Sequence, residues 1–220
     1  MSRDYNLCCH CNLYHPLDVP ACSSCEQPLV LAAKNKIAVW RLGDIEDGLL
    51  GGVVTAIRHA FPFKVVIQPA FLDERPSLRP DWSGRSATSL LNQMLNRKAC
   101  GAVANLCIAA DTVTCSARYH FLFGMAWVGL GAAAMGIEPL ENDRPDAARL
   151  SERMAKIAVH ELGHAFGLND KPYDHADCVM CGDADEDSLE TIDNGSIDFC
   201  SPCLRELKRG VKTLKSATAP

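Results

Sequence analysis

Hydrophobic residues recur in two alternating patterns along the central part of the chain. Short apolar runs at residues 37–40 and 63–67 predict two strands, the second of which lies between Pro62 and Pro69. Between the two runs, apolar residues recur at helical spacing from Leu49 to Ala60, which predicts an amphipathic helix that ends before Pro62. Strands and helices therefore alternate from the start of the predicted domain.

The same alternation continues further along the chain. A second helix has its apolar face over residues 90–95, and Ser86 is placed to cap its first turn. Residues 102–110 and 119–123 predict two further strands. Because these elements precede a helical, cysteine-rich end, the fold class predicted from the pattern is α+β.

The longest predicted helix lies in the second half of the chain. Asp143 is placed to cap it, with Pro145 in the first turn. Apolar positions continue to Phe166, and we expect Gly167 to end the helix, because glycine readily adopts the left-handed conformation at which many helices terminate. Residues 211–220 are predicted to be a frayed tail.

Composition narrows the class of protein. The chain has 220 residues, 22 Lys and Arg against 27 Asp and Glu, a formal net charge of −5, and 48% hydrophobic residues. This is typical of a globular protein and gives no overall basic character for binding nucleic acid. The uncharged stretch 121–137 is short for a membrane span and contains several glycines, so we interpret it as a buried strand with a glycine-rich connection.

The unusual feature of the composition is its 12 cysteines. Residues 1–12 carry charges and cysteines where an export signal would have its apolar region, so we expect a cytoplasmic protein. In a reducing compartment, thiolates are more often metal ligands than disulfide partners. The cysteines therefore point to metal sites.

Four Cys-x-x-Cys pairs predict two structural zinc sites, because two pairs supply the four thiolates of a closed tetrahedral site. The N-terminal pairs predict a zinc knuckle over residues 1–33, a segment too poor in apolar residues to fold without a metal. A redox dithiol or buried free thiols are the alternative for the C-terminal pairs. The predicted ligands are Cys8, Cys11, Cys22 and Cys25 in the knuckle, and Cys178, Cys181, Cys200 and Cys203 in the C-terminal site.

The segment His160-Glu161-Leu162-Gly163-His164 is an HExxH motif near the end of the longest predicted helix. Four residues advance a helix by about one turn, so both imidazoles project from one face and are able to hold one zinc ion. Glu161 is placed to reach a water on the metal and to act as its general base. An incidental pattern on a surface helix is the alternative, but a helix-ending glycine and an acidic residue follow the motif.

A catalytic zinc takes three protein ligands and leaves a fourth position for water. After a turn at Gly167, the chain is able to double back and present Asp170, whose carboxylate oxygen suits zinc. His175 is the rival third ligand, with Asp174 and Asp177 close behind. We favour Asp170 on its spacing, and we expect its negative charge to make the zinc a weaker Lewis acid than in a three-histidine site.

The string HELGHAFGLND resembles the metzincin pattern HExxHxxGxxH with the last histidine replaced by aspartate. Together with the downstream Cys-Val-Met at 178–180 and Cys-Ser-Pro-Cys at 200–203, it makes residues 36–203 resemble the archaemetzincin family of zinc peptidases. In that family a cysteine directly follows the third histidine. Lys171 stands there in this chain, and Cys181 restores the count of four thiolates.

The resemblance implies a compact metzincin-like domain with a mixed sheet over residues 34–210. It also implies a catalytic zinc, a structural zinc, and Met180 as the methionine of the turn beneath the catalytic metal. The knuckle lies outside the resemblance and is interpreted as an added module with a zinc of its own. The expected cofactors are therefore one catalytic and two structural zinc ions.

From the site and the resemblance we predict zinc-dependent hydrolysis of peptide or protein substrates, with an extended substrate pairing along residues 119–123. The first alternative is a catalytically weak or inactive relative that only binds peptides. The second is an interaction protein led by the knuckle, which we expect to dock a protein partner. Since Arg3 is the only basic residue before residue 34, no nucleic-acid partner is predicted, and the interpretation of 121–137 as a buried strand predicts no membrane contact.

Overall fold

The computed structural model describes residues 35–68, 84–97, 102–115, 122–172, 177–182 and 188–217, together with three two-residue strands nearer the N-terminus. These strands, β1 (Asn6–Leu7), β2 (Tyr14–His15) and β3 (Val30–Leu31), pair antiparallel in the order β2-β1-β3. The predicted knuckle ligands Cys8, Cys11, Cys22 and Cys25 lie outside the described residues.

The centre of the domain is a mixed five-stranded sheet, which confirms the predicted α+β class. Its order is β5-β4-β7-β10-β9, and the pairs are parallel except for β9 against β10. A short parallel pair, β6 with β8, lies apart from it. The bounds are β4 (Lys36–Leu42), β5 (Lys64–Gln68), β6 (Arg85–Ser86), β7 (Ala104–Ala109), β8 (Val113–Thr114), β9 (Gly124–Trp127) and β10 (Ala132–Gly136).

Helices cover both faces of this sheet. Because side chains alternate between the two faces along each strand, neighbouring residues of one strand pack against different helices. Ile37 and Val39 of β4 pack on the side of α1 and α3, whereas Ala38 and Trp40 pack on the side of α2. The helices are α1 (Asp47–Ala60), α2 (Ala87–Arg97), α3 (Ala147–Ala165), α4 (Leu189–Asn194) and α5 (Ser201–Ala217), and a 3-10 turn covers Glu138–Glu141.

Three of the four predicted strands are confirmed as β4, β5 and β7. Of the fourth, residues 119–121 lie outside the described residues, Leu122 forms an isolated antiparallel bridge with Val113, and the edge strand β9 begins at Gly124. The stretch 121–137 holds two antiparallel strands joined by a turn that contains Gly129 and Gly131, both with positive φ. Among the helices that the structure describes, none is long and apolar enough to cross a membrane.

The predicted caps of the two helices have different outcomes. The Ser86 hydroxyl accepts the Ser89 N–H at 3.3 Å, as expected. The prediction for Asp143 is wrong, because Asp146 caps α3 and accepts the Arg149 N–H at 2.8 Å. Arg144 has a φ of 55°, a left-handed conformation that interrupts the chain ahead of the helix. Asp143 and Pro145 therefore precede the cap, and α3 begins only at residue 147.

The predicted fraying of the C-terminus is wrong for residues 211–217. Helix α5 continues to Ala217, and its Leu207, Val211 and Leu214 are buried in the core. These positions are three or four residues apart and so form one apolar face, which the domain covers. Residues 218–220 lie outside the part of the chain that the structure describes.

Candidate metal centre

Helix α3 brings the two histidines of the HExxH motif together. His160 and His164 are one turn apart, and their Nε2 atoms lie 3.0 Å from each other. Most other residues of the helix are buried in the core, so its position is fixed by packing on both sides. The two imidazoles, in contrast, keep part of their surface open to solvent.

Each imidazole is oriented through its other ring nitrogen. His160 Nδ1 donates to the Val179 carbonyl at 2.8 Å, and His164 Nδ1 donates to the Leu168 carbonyl at 2.8 Å. A carbonyl oxygen only accepts, so the proton of the neutral ring sits on Nδ1 and the lone pair on Nε2. Both Nε2 atoms are thereby presented as ligands in the way that histidines at metal sites commonly are.

The turn after α3 carries Asp170 back to the histidines. Gly167 has a φ of 98°, and the Leu168 N–H donates to the Gly163 carbonyl at 3.0 Å, so the chain reverses at once. Asp170 Oδ1 then lies 3.3 Å from His160 Nε2 and 3.2 Å from His164 Nε2.

The donor set fits a zinc ion. Tetrahedral zinc with bonds of 2.0–2.1 Å separates its ligand atoms by about 3.3 Å, which is the spacing of these nitrogen and oxygen atoms. His175 and Asp174 lie outside the described residues, and Asp177 is described but is not grouped with the histidines.

The electrostatics of this centre favour a cation. Burial lowers the pKa of His160, but the hydrogen bond with Asp170 and the charge of Glu161 more than offset it and raise the pKa to about 9. Burial, Asp170 and Glu161 act in the same way on His164, whose pKa is also raised. Burial raises the pKa of Asp170, but its contacts with both histidines hold it well below its usual range. Two carboxylates therefore set a negative potential at the imidazoles.

Glu161 lies between the ligands on α3, and its side chain is only 6% exposed. It lines a pocket with His160 and Phe123, and the far wall of that pocket is formed by Ile192 of α4 and the residues just after that helix. A carboxylate in this position is beside the candidate metal ligands without being one of the three clustered donors. This is the arrangement that a general base for a zinc-activated water requires.

The segment that carries Asp170 is tied to the turn beneath the site. The Lys171 N–H donates to the Met180 carbonyl at 2.8 Å, and the Gly182 N–H donates to the Lys171 carbonyl at 3.2 Å. Met180 is fully buried and lies directly against Gly163, where an added Cβ would be 2.4 Å from its sulfur. The sequence did not reveal this pairing, because it joins residues on two sides of a loop.

The turn between β9 and β10 supports the end of α3. The Gly129 N–H donates to the His164 carbonyl at 2.9 Å, and the Gly131 N–H donates to the Ala165 carbonyl at 2.9 Å. The Ala165 carbonyl is one that a helix terminus otherwise leaves without an intrahelical partner, whereas the His164 carbonyl also accepts the Gly167 N–H at 2.8 Å. The glycine-rich connection thus fixes the turn of helix on which the second histidine stands.

The C-terminal cysteines form a second group of possible ligands. The sulfur atoms of Cys178, Cys200 and Cys203, here called the thiol cluster, lie within 4.8 Å of one another. The Cys200 N–H donates to Cys178 Sγ at 3.3 Å. Burial and the hydrogen bonds with the other two thiols raise the pKa of Cys203. Cys181, the fourth predicted ligand, is outside this cluster, and its Sγ lies 3.8 Å from the Pro172 carbonyl oxygen.

Lys171 stands on the side of the thiol cluster. Its ammonium lies 3.1 Å from Glu206 Oε2. The hydrogen bond with Glu206 is the main reason that the pKa of Lys171 is raised, and Cys203 and Cys200 add to this effect. A cation therefore lies near two of the clustered thiols.

The comparisons with known proteins decide the family. The model of peptidase family M54 matches residues 97–209, which is more than half of the chain and includes both groups of ligands. The chain belongs to peptidase family M54. It is therefore a zinc-dependent peptidase, a hydrolase that acts on peptides or proteins.

Relatives of this M54 chain are archaemetzincins. The protein of Pyrococcus abyssi is 29% identical over 174 residues, which cover 76% of this chain and 80% of that protein. The protein of Pyrococcus furiosus is 38% identical over 93 residues, 40% of this chain and 46% of that protein.

Two solved structures share the fold of the M54 domain. The archaemetzincin of Methanopyrus kandleri matches with a TM-score of 0.64 and 24% identity, over 81% of this chain and 96% of that chain. A zinc-dependent peptidase from Methanocorpusculum labreanum matches with a TM-score of 0.65 and 19% identity, over 78% of this chain and 99% of that chain. The similarity thus extends over most of the chain.

Two buried cations hold α4 against α3 in this M54 domain. Arg153 is 1% exposed and binds Asp143 at 2.8 Å and Asp193 at 2.7 Å. Lys156 donates to the carbonyls of Ile192 and Asp193 at 3.1 and 2.9 Å. These bonds fix the wall of the pocket beside Glu161. These bonds were not predicted from the sequence, although two basic residues among the apolar positions of α3 were a visible signal.

Proposed function

We propose that this M54 peptidase hydrolyses peptide bonds at a zinc ion held by His160, His164 and Asp170, with Glu161 as the general base. The observation that carries the proposal is the spacing of the three ligand atoms, 3.0–3.3 Å, beside a buried carboxylate. Neither a surface helix with an incidental motif nor a closed structural site accounts for this arrangement, because the three ligands leave one position for water.

The roles of the side chains follow from their positions. Bound zinc lowers the pKa of a water molecule and polarises the carbonyl group to be attacked. Glu161 accepts a proton from the attacking water and returns it to the departing amine. The carbonyls of Val179 and Leu168 accept hydrogen bonds from the Nδ1–H groups of the two histidines and so keep both rings in the orientation that binds the metal. Asp170 contributes a negative charge that neither histidine supplies.

The edge of the sheet offers a place for an extended substrate. Within the described residues β9 is one of the two edge strands of the sheet, and it begins at Gly124 next to Glu161. An extended peptide that adds to an exposed strand gains main-chain hydrogen bonds, and its side chains enter neighbouring pockets. We expect the substrate to lie along β9, slightly C-terminal to the strand predicted from the sequence, with a peptide bond beside Glu161.

Two further zinc ions belong to the proposal. The thiol cluster supplies three ligands for a structural zinc, and Cys181 is the candidate for the fourth because such sites take four ligands. That role requires its side chain to turn away from Pro172. The third zinc belongs to the N-terminal knuckle, with Cys8, Cys11, Cys22 and Cys25 as ligands, and we expect that module to dock a protein partner in the cytoplasm.

Metal analysis of the purified chain tests these sites. We expect three zinc ions per chain, falling to two when His160 and His164 are both replaced by alanine. Cys200→Ser or Cys181→Ser is likewise expected to remove one zinc, since a closed site that loses a thiolate binds zinc far less tightly. Cys115→Ser is the matched control, because Cys115 lies outside the thiol cluster, and it should keep all three.

Two results of the metal analysis would contradict the proposal. One is an unchanged zinc content after both histidines are replaced, which would place the catalytic metal elsewhere. The other is an unchanged content after Cys200→Ser, which would mean that the thiol cluster holds no zinc. Retention of zinc by Cys181→Ser alone would exclude Cys181 as a ligand and leave the other assignments in place.

A further inference from the structure

Gly124, the first residue of β9, lies directly against the side chain of Glu161. A Cβ atom added at Gly124 would be 2.5 Å from Glu161 Cγ, 2.5 Å from Oε1 and 2.7 Å from Cδ. Real Cβ atoms essentially never approach another heavy atom within 3.0 Å. Any residue larger than glycine at this position therefore has to displace the carboxylate or the strand.

The glycine is needed for space and not for backbone conformation. The glycines of the described residues with positive φ are Gly43, Gly129, Gly131 and Gly167, and Gly124 is not one of them. It has an ordinary strand partner, Met135 of β10. An alanine is therefore able to adopt the local backbone angles, and the three heavy atoms nearest to its Cβ all belong to Glu161.

The register of β9 directs Gly124 at the active-site helix. Side chains alternate along a strand, and Met125 and Trp127 pack on the side of α2, whereas Ala126 packs on the side of α3. Gly124 shares the face of Ala126. The neighbouring Phe123 and Gly136 are joined by a backbone hydrogen bond of 3.1 Å, which holds this end of the strand in place.

We infer that Gly124 is a positioning residue for the catalytic carboxylate. The absence of a side chain at Gly124 lets Glu161 occupy the space beside the sheet edge, and the strand in turn limits where the carboxylate can go. Glu161 is buried, so its side chain has little room to yield. An alanine at position 124 pushes the atoms of Glu161 by about 1 Å, the difference between the 2.5 Å contact of its Cβ and a normal van der Waals separation.

The test is a double-mutant cycle on thermal unfolding of the zinc-loaded chain. Overpacking in a core destabilises a domain, and Gly124→Ala alone is expected to lower the midpoint by roughly 3–10 °C. In the Glu161→Ala background the clashing atoms are gone, so the same change should shift the midpoint by less than about 1 °C. Gly51→Ala is the matched control, because a Cβ there meets nothing within 4 Å.

An equal loss in both backgrounds would overturn the inference, since the cost would then come from something other than Glu161. If Gly124→Ala does not fold by itself, a folded Gly124→Ala/Glu161→Ala variant supports the inference and an unfolded one overturns it. These readouts do not involve hydrolysis, so they stand or fall separately from the proposed function.

A second arm rests on the role proposed for Glu161 in hydrolysis. A misplacement of about 1 Å costs on the order of 100-fold in rate, so Gly124→Ala should lower kcat by about 100-fold. KM should stay within about threefold, and the zinc content should match the wild type because the atoms nearest to a Cβ at Gly124 belong to Glu161, which is not one of the three clustered donors. A kcat equal to that of Gly51→Ala would contradict the positioning role.

Discussion

Replacing Glu161 by glutamine is expected to abolish peptide hydrolysis while the zinc stays bound. The amide has nearly the same shape as the carboxylate, but it does not accept the proton of the attacking water. General acid–base catalysis typically accelerates a reaction by about 10²–10⁴-fold, so kcat should fall by at least about 100-fold. Glu161 is not one of the three clustered donors, which is why the zinc content should be unchanged. Cleavage of a quenched fluorescent peptide together with metal analysis measures both effects.

Glu141→Gln is a suitable control for this change. Glu141 is an exposed residue at the end of the 3-10 turn and lies outside the pocket. The control should hydrolyse the peptide at the wild-type rate. If Glu161→Gln keeps activity within tenfold of the wild type, Glu161 is not the general base, and another group of the pocket must accept the proton.

Replacing Asp170 by alanine is expected to remove the catalytic zinc. Changes to groups that only support metal ligands already cost 10–100-fold in metal affinity, so the loss of a ligand should cost more than about 100-fold. Hydrolysis at limiting zinc should fall in parallel. His175→Ala, the rival assignment, should leave zinc affinity unchanged, and so should Asp177→Ala, an exposed carboxylate outside the cluster. Competition with a chromogenic chelator measures these affinities.

The outcome of this comparison separates the two assignments. Loss of zinc on His175→Ala and retention on Asp170→Ala would make His175 the third ligand and would contradict the geometry described here. Loss on both would mean that the two residues act together.

Asp170→His restores a neutral third ligand. The carboxylate lowers the net positive charge at the metal, so the water that it activates should be less acidic in the wild type than in this variant. The activated water should therefore lose its proton at lower pH in the variant, and the acidic limb of the pH–rate profile should move to lower pH. An unmoved limb would count against a role of the Asp170 charge in the reaction.

The parts of the site that come from local sequence could be predicted. His160, Glu161 and His164 are related by one turn of helix, and Gly167 with Asp170 follows within a single reversal of the chain. The spacing along the chain was sufficient to expect these residues close together, although it left His175 as a rival to Asp170. Distant contacts then hold them, since the Val179 carbonyl orients His160 and the Lys171 N–H donates to the Met180 carbonyl.

Features that depend on distant contacts could not be predicted in the same way. The direction of the Cys181 thiol depends on the pairing of Lys171 with the turn at residues 178–182, which the Cys-x-x-Cys spacing does not reveal. Gly124 and Glu161 are 37 positions apart, and their contact requires the sheet and α3 to be packed together. For residues that meet only across the core, spacing along the chain carries no information.

Two errors had signals that were present in the sequence. Asp143 and Asp146 both precede the long helix, and a cap rule alone does not choose between them. The left-handed Arg144 decides in favour of Asp146. Leu207, Val211 and Leu214 have helical spacing, which was sufficient to predict that α5 extends beyond residue 210. Their burial shows that α5 packs against the core as far as Leu214.

The proposed function depends on one zinc ion held by two imidazoles and the carboxylate of Asp170, with a position left for the attacking water. Diffraction from crystals of the zinc-loaded chain, recorded above and below the zinc absorption edge, locates this ion. We expect an anomalous peak within about 2.0–2.2 Å of His160 Nε2, His164 Nε2 and an Asp170 oxygen, with no other side chain bound. If there is no peak at that position, or if a fourth side chain such as His175 closes it, the proposed zinc site is wrong.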